Sequence, residues 1–210
     1  MPINLRRRTL RNLIKWLHGA PAPSPERRIL VPNLRVLELE DRRVLSGLPA
    51  AYLSATRELV LSAGSQANDG QADTFVLQRQ GENLRVSIDG QEVYGGRLAD
   101  IGTIRVEGSG DQDTLVLDYS GGNPLPAAGA GFHAGARVQD SADALVLIGG
   151  TLGSPLDTVT HEFQGLGAGS IHVGLGDSAA HSTSNLSYTG VESIRDATQT
   201  QRLIFQDHRD

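Results

Sequence analysis

From Arg57 onward, short apolar runs alternate with turns that are rich in Gly, Asp and Asn. In Leu84-Arg85-Val86-Ser87-Ile88 the three apolar residues fall on one face of an extended chain, because successive side chains of a strand point to opposite faces. Ile104 and Val106 follow the same period of two. The runs recur about every 10–15 residues, which is typical of an all-β sandwich, barrel or solenoid. The predicted strands are Glu58–Ser62, Thr74–Gln78, Leu84–Ile88, Thr103–Val106, Thr114–Asp118, Ala144–Ile148, Thr158–Phe163, Ser170–Val173 and Asn185–Tyr188.

A recurring unit joins an acidic turn to a strand. Asp73-Thr74-Phe75-Val76-Leu77 resembles Asp113-Thr114-Leu115-Val116-Leu117, and Asp143-Ala144-Leu145-Val146-Leu147 is a third, weaker copy. Asp suits such turns because it tolerates their backbone geometry and accepts hydrogen bonds from nearby N–H groups. Stacked copies of this unit bury a continuous, thin core. The pattern therefore predicts an all-β fold that is either β-solenoid-like or an irregular β-sandwich.

The first 47 residues have a different pattern. Residues 5–18 place apolar side chains on one helical face among basic residues, which predicts a short amphipathic helix in a mostly disordered leader. A plain disordered basic tail is the alternative. The apolar runs are too short for the core of an ordinary secretory signal or for a transmembrane helix. We divide the chain into a basic targeting leader (1–47), a linker (48–56), a β-rich repeat-like domain (57–196) and a polar tail (197–210), with a possible last strand at Arg202–Phe205.

Charge divides the chain at the same place. Residues 1–46 carry ten Lys and Arg against four Asp and Glu, whereas residues 47–210 carry nine against twenty, and the net charge is −5. An acidic body repels phosphate, which argues against a nucleic-acid partner. The absence of Cys excludes disulfides and thiolate metal sites. Four Phe and one Trp supply little bulky apolar material, which also favours a thin core.

A short charged motif stands just before the composition changes. By physics alone, Val36–Ser46 can form a helix in which Glu38 and Arg42 make an ion pair four residues apart. The stretch Leu39-Glu40-Asp41-Arg42-Arg43-Val44-Leu45 also resembles the LEPR-XLL motif, a short N-terminal segment of many large bacterial surface proteins. Asp41 stands where that motif has Pro, and Val44 where it has Leu.

The resemblance implies a sorting or export role for the seven motif residues and a mature protein that follows Ser46. The partner of the leader would be the export machinery. The body is similar to segments of β-repeat surface proteins in Gly108–Leu115 and Tyr188–Ile194. The expected location is therefore extracellular or at the cell surface, where matrix or surface components are candidate partners.

The first candidate site is a calcium-binding site. Gly108-Ser109-Gly110-Asp111-Gln112-Asp113-Thr114-Leu115 resembles the nonapeptide that binds calcium in tandem β-roll repeats. Candidate ligands are Asp111, Asp113 and Asp118. Calcium takes 6–8 oxygens, and the tandem copies that complete such a site are missing from the sequence. An Asp-rich turn that satisfies its own backbone is therefore the preferred interpretation, and we expect no cofactor.

Catalytic signatures are weak. The sequence contains no G-x-S-x-G elbow, Walker loop or Rossmann fingerprint, and its six His residues are scattered. A carbohydrate-active β-solenoid enzyme would use carboxylates on one face, for which the candidates are Asp111, Asp113, Asp140 and Asp143. We expect no enzymatic activity. The expected function is that of an exported structural or adhesive protein, and the alternatives are a calcium-stabilised adhesion domain and such an enzyme.

Overall fold

The computed structural model describes residues 48–64, 67–135, 142–150, 156–174 and 184–207. These residues are all-β, as the sequence predicts, with a single complete 3₁₀ turn at Leu98–Asp100 and no α-helix among them. The strands are β1 (Ala50–Leu53), β2 (Glu58–Ser62), β3 (Asp73–Gln80), β4 (Asn83–Ile88), β5 (Gln91–Arg97), β6 (Thr103–Glu107), β7 (Asp113–Asp118), β8 (Ala130–His133), β9 (Ala144–Gly149), β10 (Leu156–Gly165), β11 (Ala168–Gly174), β12 (Ser184–Thr189), β13 (Ser193–Thr198) and β14 (Thr200–Asp207).

The strands form two mixed sheets. Sheet A has the order β1-β2-β6-β8-β12-β11-β10-β14, and sheet B has the order β13-β9-β7-β3-β4-β5. Strands β2, β6, β8 and β12 are parallel neighbours in sheet A, and β3, β7, β9 and β13 are parallel neighbours in sheet B. The chain passes from sheet A to sheet B and back, which is the connectivity of a solenoid coil. The hairpins β4–β5 and β10–β11 add antiparallel strands to this coil.

The core consists of stacked apolar side chains between the sheets. Parallel pairing brings equivalent positions of β3, β7 and β9 side by side, so that their inward-facing residues form two continuous rows. Every member of these rows is fully buried. Each such side chain contributes about 1.5–3 kcal/mol of burial free energy. The two rows are Phe75, Leu115 and Leu145, and Leu77, Leu117 and Leu147.

All nine predicted strands lie within observed strands. The pattern did not predict β1, β5, β8 and β13. Strand β8 is only four residues long. In β13, with the sequence SIRDAT, exposed and half-buried residues alternate and none is buried. Such strands are held by backbone hydrogen bonds to their neighbours rather than by an apolar period that the sequence displays.

Two segments outside the predicted β-rich domain contain strands. The linker at 48–56 contains β1, which pairs antiparallel with β2. The polar tail at 197–210 contains the whole of β14, which pairs in parallel with β10 and is longer than the predicted run Arg202–Phe205. Both are outer strands of sheet A, where polar side chains are compatible with pairing. The leader at 1–47, with its predicted helix and motif, lies outside the described residues. Within the described ranges, no helix is long and apolar enough to cross a membrane.

Candidate functional site

The chain crosses between the sheets at two margins with different chemistry. At the first, strands of sheet A end and strands of sheet B begin, and three buried carboxyl groups and one half-buried carboxyl group lie there. We call this the acidic margin, and its acidic residues are Asp73, Asp113, Asp143 and Glu192. At the second, strands of sheet B end and strands of sheet A begin. It contains a cavity that we call the arginine cleft.

The carboxylates of the acidic margin hydrogen bond to the neighbouring coil. Asp143 Oδ1 accepts a hydrogen bond from the Asp113 N–H at 2.7 Å, and Glu192 Oε2 accepts one from the Asp143 N–H at 2.7 Å. Asp113 Oδ2 also accepts from the N–H and the hydroxyl of Ser109, at 2.5 and 3.1 Å. Asp113, Asp143 and Glu192 therefore satisfy backbone donors that the crossing between sheets would otherwise leave buried without a partner.

Two acids of this margin share one environment. Asp73 and Asp113 are neighbours in the parallel register of β3 and β7 and are 3% and 0% exposed. Burial, followed by the charges of Asp113, Asp89 and Asp69, raises the pKa of Asp73 to about 7. Burial also raises the pKa of Asp113, although the hydrogen bonds from Ser109 oppose this. Asp73 Oδ2 and Asp113 Oδ1 are buried without an N–H or hydroxyl donor. A proton retained on Asp73 removes the repulsion between the two carboxylates.

The structure does not bring the three predicted calcium ligands together. Asp113 and Asp118 begin and end β7, which places them roughly 16 Å apart at about 3.3 Å per residue. Asp118 accepts from Gln78 Nε2 at 2.7 Å, and Asp111 accepts from the Gly70 N–H at 3.0 Å. Within the described ranges, no group of three or more His, Asp or Glu side chains is arranged to hold a metal ion.

The carboxylates considered for catalysis are similarly engaged. Asp111, Asp113 and Asp143 each accept or face a backbone donor at the acidic margin. Asp140 lies outside the described residues. The three described acids therefore hydrogen bond to backbone donors of the coil.

The arginine cleft has a volume of about 620 Å³. Its charged lining consists of Arg57, Arg79, Arg97 and Glu82, so the lining carries a net charge of +2. Its apolar floor is formed by Leu98, Ile101, Leu125 and Pro126. A local positive charge of this kind is unusual on a body in which Asp and Glu outnumber Arg by twenty to nine.

Hairpin pairing and a tight loop position two of these arginines. Arg79 is next to last in β3 and Arg97 is last in β5, and β4 lies between these strands. The loop after β7 passes directly over Arg79, because a Cβ on Gly121 would lie 1.8 Å from the Arg79 carbonyl oxygen. Only glycine permits that approach, which closes one wall of the cleft.

Arg57 is fixed by its own backbone and side chain. Its φ is +55°, a left-handed conformation that non-glycine residues rarely adopt. Its carbonyl accepts the Gly102 N–H at 2.6 Å. Its guanidinium donates to the carbonyl of Asp100, at 2.9 Å, and to that of Ala99. Arg57 therefore joins the turn before β2 to the 3₁₀ turn, and its role is partly structural.

The guanidinium groups of the cleft keep donors for a ligand. Arg79 Nε donates to the Gly81 carbonyl at 2.7 Å. Arg97 pairs with Glu82 at 3.3 Å, but these side chains are 63% and 81% exposed, and such pairs contribute only about 0–1 kcal/mol. Each guanidinium has five N–H donors in a planar fork that matches an anionic oxygen pair. No Ser, Thr, Cys or His is among the described residues that line the cleft. The arrangement is suited to binding an anion.

Sequence reasoning missed a buried pair between β10 and β13. His161, which is 0% exposed, lies 2.8 Å from Asp196 through Nε2 and stacks on Phe205. Burial raises the pKa of Asp196, but the bonds from His161 and Thr198 outweigh it, so the net pKa is lowered. The sequence did contain a signal for the burial of His161. This residue follows the buried Val159 by two positions in β10, so both side chains point to the same face of the strand. The pair is sealed from solvent, which indicates a structural role.

The chain matches no protein-family model, no curated protein and no solved structure.

Proposed function

We propose that this chain is an exported, non-catalytic structural or adhesive protein of the bacterial cell surface or extracellular space. One observation supports the non-catalytic part most strongly. The described carboxylates that a glycan-cleaving enzyme would need are bonded to backbone donors of the acidic margin, where Asp113 and Asp143 are 0% and 1% exposed. An acid that is buried and committed to the coil does not protonate or attack a substrate.

The stacked coils supply a physical basis for a structural role. Parallel strands of successive coils pair in register, and their fully buried side chains form continuous rows. Such a coil presents a persistent surface without a moving part. The arginine cleft, in which the single carboxylate is that of Glu82, is suited to recognition rather than to acid–base chemistry.

The exported part of the proposal rests on the sequence. The basic leader precedes an acidic body, and Leu39–Leu45 resembles the LEPR-XLL motif of bacterial surface proteins. Export machinery is the partner proposed for the leader, and cell-surface or matrix components are the partners proposed for the body.

Cell fractionation tests this proposal. The full chain with a C-terminal tag is produced in a bacterium that makes LEPR-XLL surface proteins, and the tag is located by immunoblotting and by protease treatment of intact cells. Export is expected, and Arg42→Ala together with Arg43→Ala is expected to retain the chain inside. Arg27→Ala with Arg28→Ala is the matched control, because it removes two leader charges outside the motif.

A tag that stays in the cytoplasm for the unaltered chain contradicts export. Equal export of both double variants contradicts a sorting role for the motif. Purified chain that cleaves a panel of polysaccharides contradicts the non-catalytic part.

A further inference from the structure

The arginine cleft stands out from the rest of the molecule by charge. Of the nine arginines in residues 47–210, three line this one cavity, although the same residues carry twenty Asp and Glu. Elsewhere, Arg105 is held by Glu58 and Glu107, and Arg85 by Glu92. In the cleft, a single acid faces three guanidinium groups.

We propose that the arginine cleft binds a carboxylated saccharide, with the carboxylate of a uronic acid held by the guanidinium groups. Arg79 and Arg97 provide the main contacts, because Arg57 already donates to two backbone carbonyls. Guanidinium and carboxylate form paired, charge-assisted hydrogen bonds that fix the orientation of the acid.

The apolar lining of the cleft favours a ligand that has an apolar face as well as a negative charge. Leu98, Ile101, Leu125 and Pro126 line the same cavity as the three arginines and give it an apolar surface. A bare phosphate or sulfate leaves this surface wet, whereas a uronic acid places the C–H face of its ring there while its carboxylate meets the arginines. The acidic body also disfavours polymers of high negative charge density.

The cleft favours a polymer over a free acid. Arg97 and Glu82 are 63% and 81% exposed, so the charged rim is open to solvent and neighbouring sugar units can extend beyond the cavity. The lining contains no aromatic residue among those described. Without stacking, one sugar contributes little, and affinity comes from several weak contacts along the chain.

Substitution of Glu82 provides the most direct test of anion binding in the cleft. Its carboxylate occupies Arg97 at 3.3 Å and therefore competes with a bound anion. Glu82→Gln removes the competitor and raises the net charge of the lining from +2 to +3. The variant is expected to bind more tightly, a gain that no disruption of the fold would produce.

Isothermal titration calorimetry of the purified full chain tests the proposal, and it does so whether or not the chain is exported. The probes are oligogalacturonate, free galacturonate, the fully methyl-esterified oligomer and dextran sulfate, a polymer that carries sulfate but no carboxylate. Oligogalacturonate is expected to bind and to weaken as salt rises, because the contact is ionic. Arg79→Gln and Arg97→Gln are expected to weaken it about three- to tenfold each, and Glu82→Gln to strengthen it by a similar factor. Arg85→Gln, on β4 and outside the cleft, is the control of equal charge and is expected to bind as the unaltered chain does.

Each other outcome has a defined meaning. Absence of oligogalacturonate binding, equal binding of the methyl ester, or tighter binding of dextran sulfate overturns the assignment to carboxylates. Unchanged affinity in both arginine variants, or weaker binding by Glu82→Gln, overturns the assignment to this cleft. Free galacturonate that binds as tightly as the oligomer supports the carboxylate contact and assigns it to a free acid rather than to a polymer. Circular dichroism of every variant checks that the β-fold is intact.

Discussion

Replacing Asp73 by Asn is expected to stabilise the protein at neutral and alkaline pH. Asp73 is 3% exposed and faces Asp113 on the neighbouring strand, and burial together with nearby acids raises its pKa from 3.8 to about 7. An acid whose pKa is higher in the folded state than in the unfolded state contributes its full stabilisation of the fold at pH values below the unfolded pKa. It loses that contribution as pH rises from about 4 to about 7.

The magnitude follows from the shift. A displacement of about three pKa units corresponds to about 4 kcal/mol at 1.36 kcal/mol per unit, and water near the exposed neighbours Asp69 and Asp89 reduces this to about 2–4 kcal/mol. Asn keeps a donor that can reach Asp113 but carries no charge at any pH. The free energy of unfolding of Asp73→Asn is therefore expected to match that of the unaltered chain near pH 4 and to exceed it by about 2–4 kcal/mol at pH 8.

Urea denaturation between pH 4 and pH 8, followed by far-ultraviolet circular dichroism, measures this difference. Asp100→Asn is the matched control, because it removes an exposed carboxylate from the 3₁₀ turn. The control is expected to keep the decline of the unaltered chain. An equal decline of Asp73→Asn and the unaltered chain would refute the reasoning, since the Asp73 carboxyl would then be ionised in the folded state without cost.

Two further predictions concern the fold around the sites. His161→Ala is expected to lower the free energy of unfolding by about 3–5 kcal/mol, because it leaves Asp196 buried without its partner. The stabilisation due to the lowered pKa of Asp196 is present above pH 3.8 and is lost as pH falls further, so the deficit of the variant measured by urea denaturation should shrink in acid. Gly121→Ala is expected to destabilise the protein by at least about 2 kcal/mol, because the added Cβ would lie 1.8 Å from a carbonyl oxygen. Gly165→Ala is the control and is expected to be nearly neutral, because no atom lies within 4 Å of the added Cβ. Equal melting temperatures for the two variants would contradict this prediction.

The sequence predicted the repeating part of the fold because its apolar residues are written with a period of two. The equivalence of Asp73 and Asp113 was visible as a shared sequence and is seen as direct pairing of β3 with β7. Strands such as β13 and β14 lack that period, since the outer strands of the sheets are specified by pairing with neighbours that the local sequence does not reveal.

The candidate site was less predictable. The arginine cleft assembles Arg57, Arg79 and Arg97 from three separate turns and strands, and no local motif links them. The sequence also offered Asp111 and Asp118 as joint ligands, because it could not show that they serve opposite ends of β7. Pairing between distant strands decides the first case, and the extended length of β7 decides the second.

We propose that the acidic margin serves the fold and is neither a calcium site nor a catalytic one. Carboxyl-carbon NMR of the full chain, titrated across pH with and without calcium, tests it most directly. The account predicts that Asp73 titrates near pH 7 and that its signal and that of Asp113 are unchanged by calcium. Titration near pH 4, or calcium-dependent shifts of both signals, would contradict it.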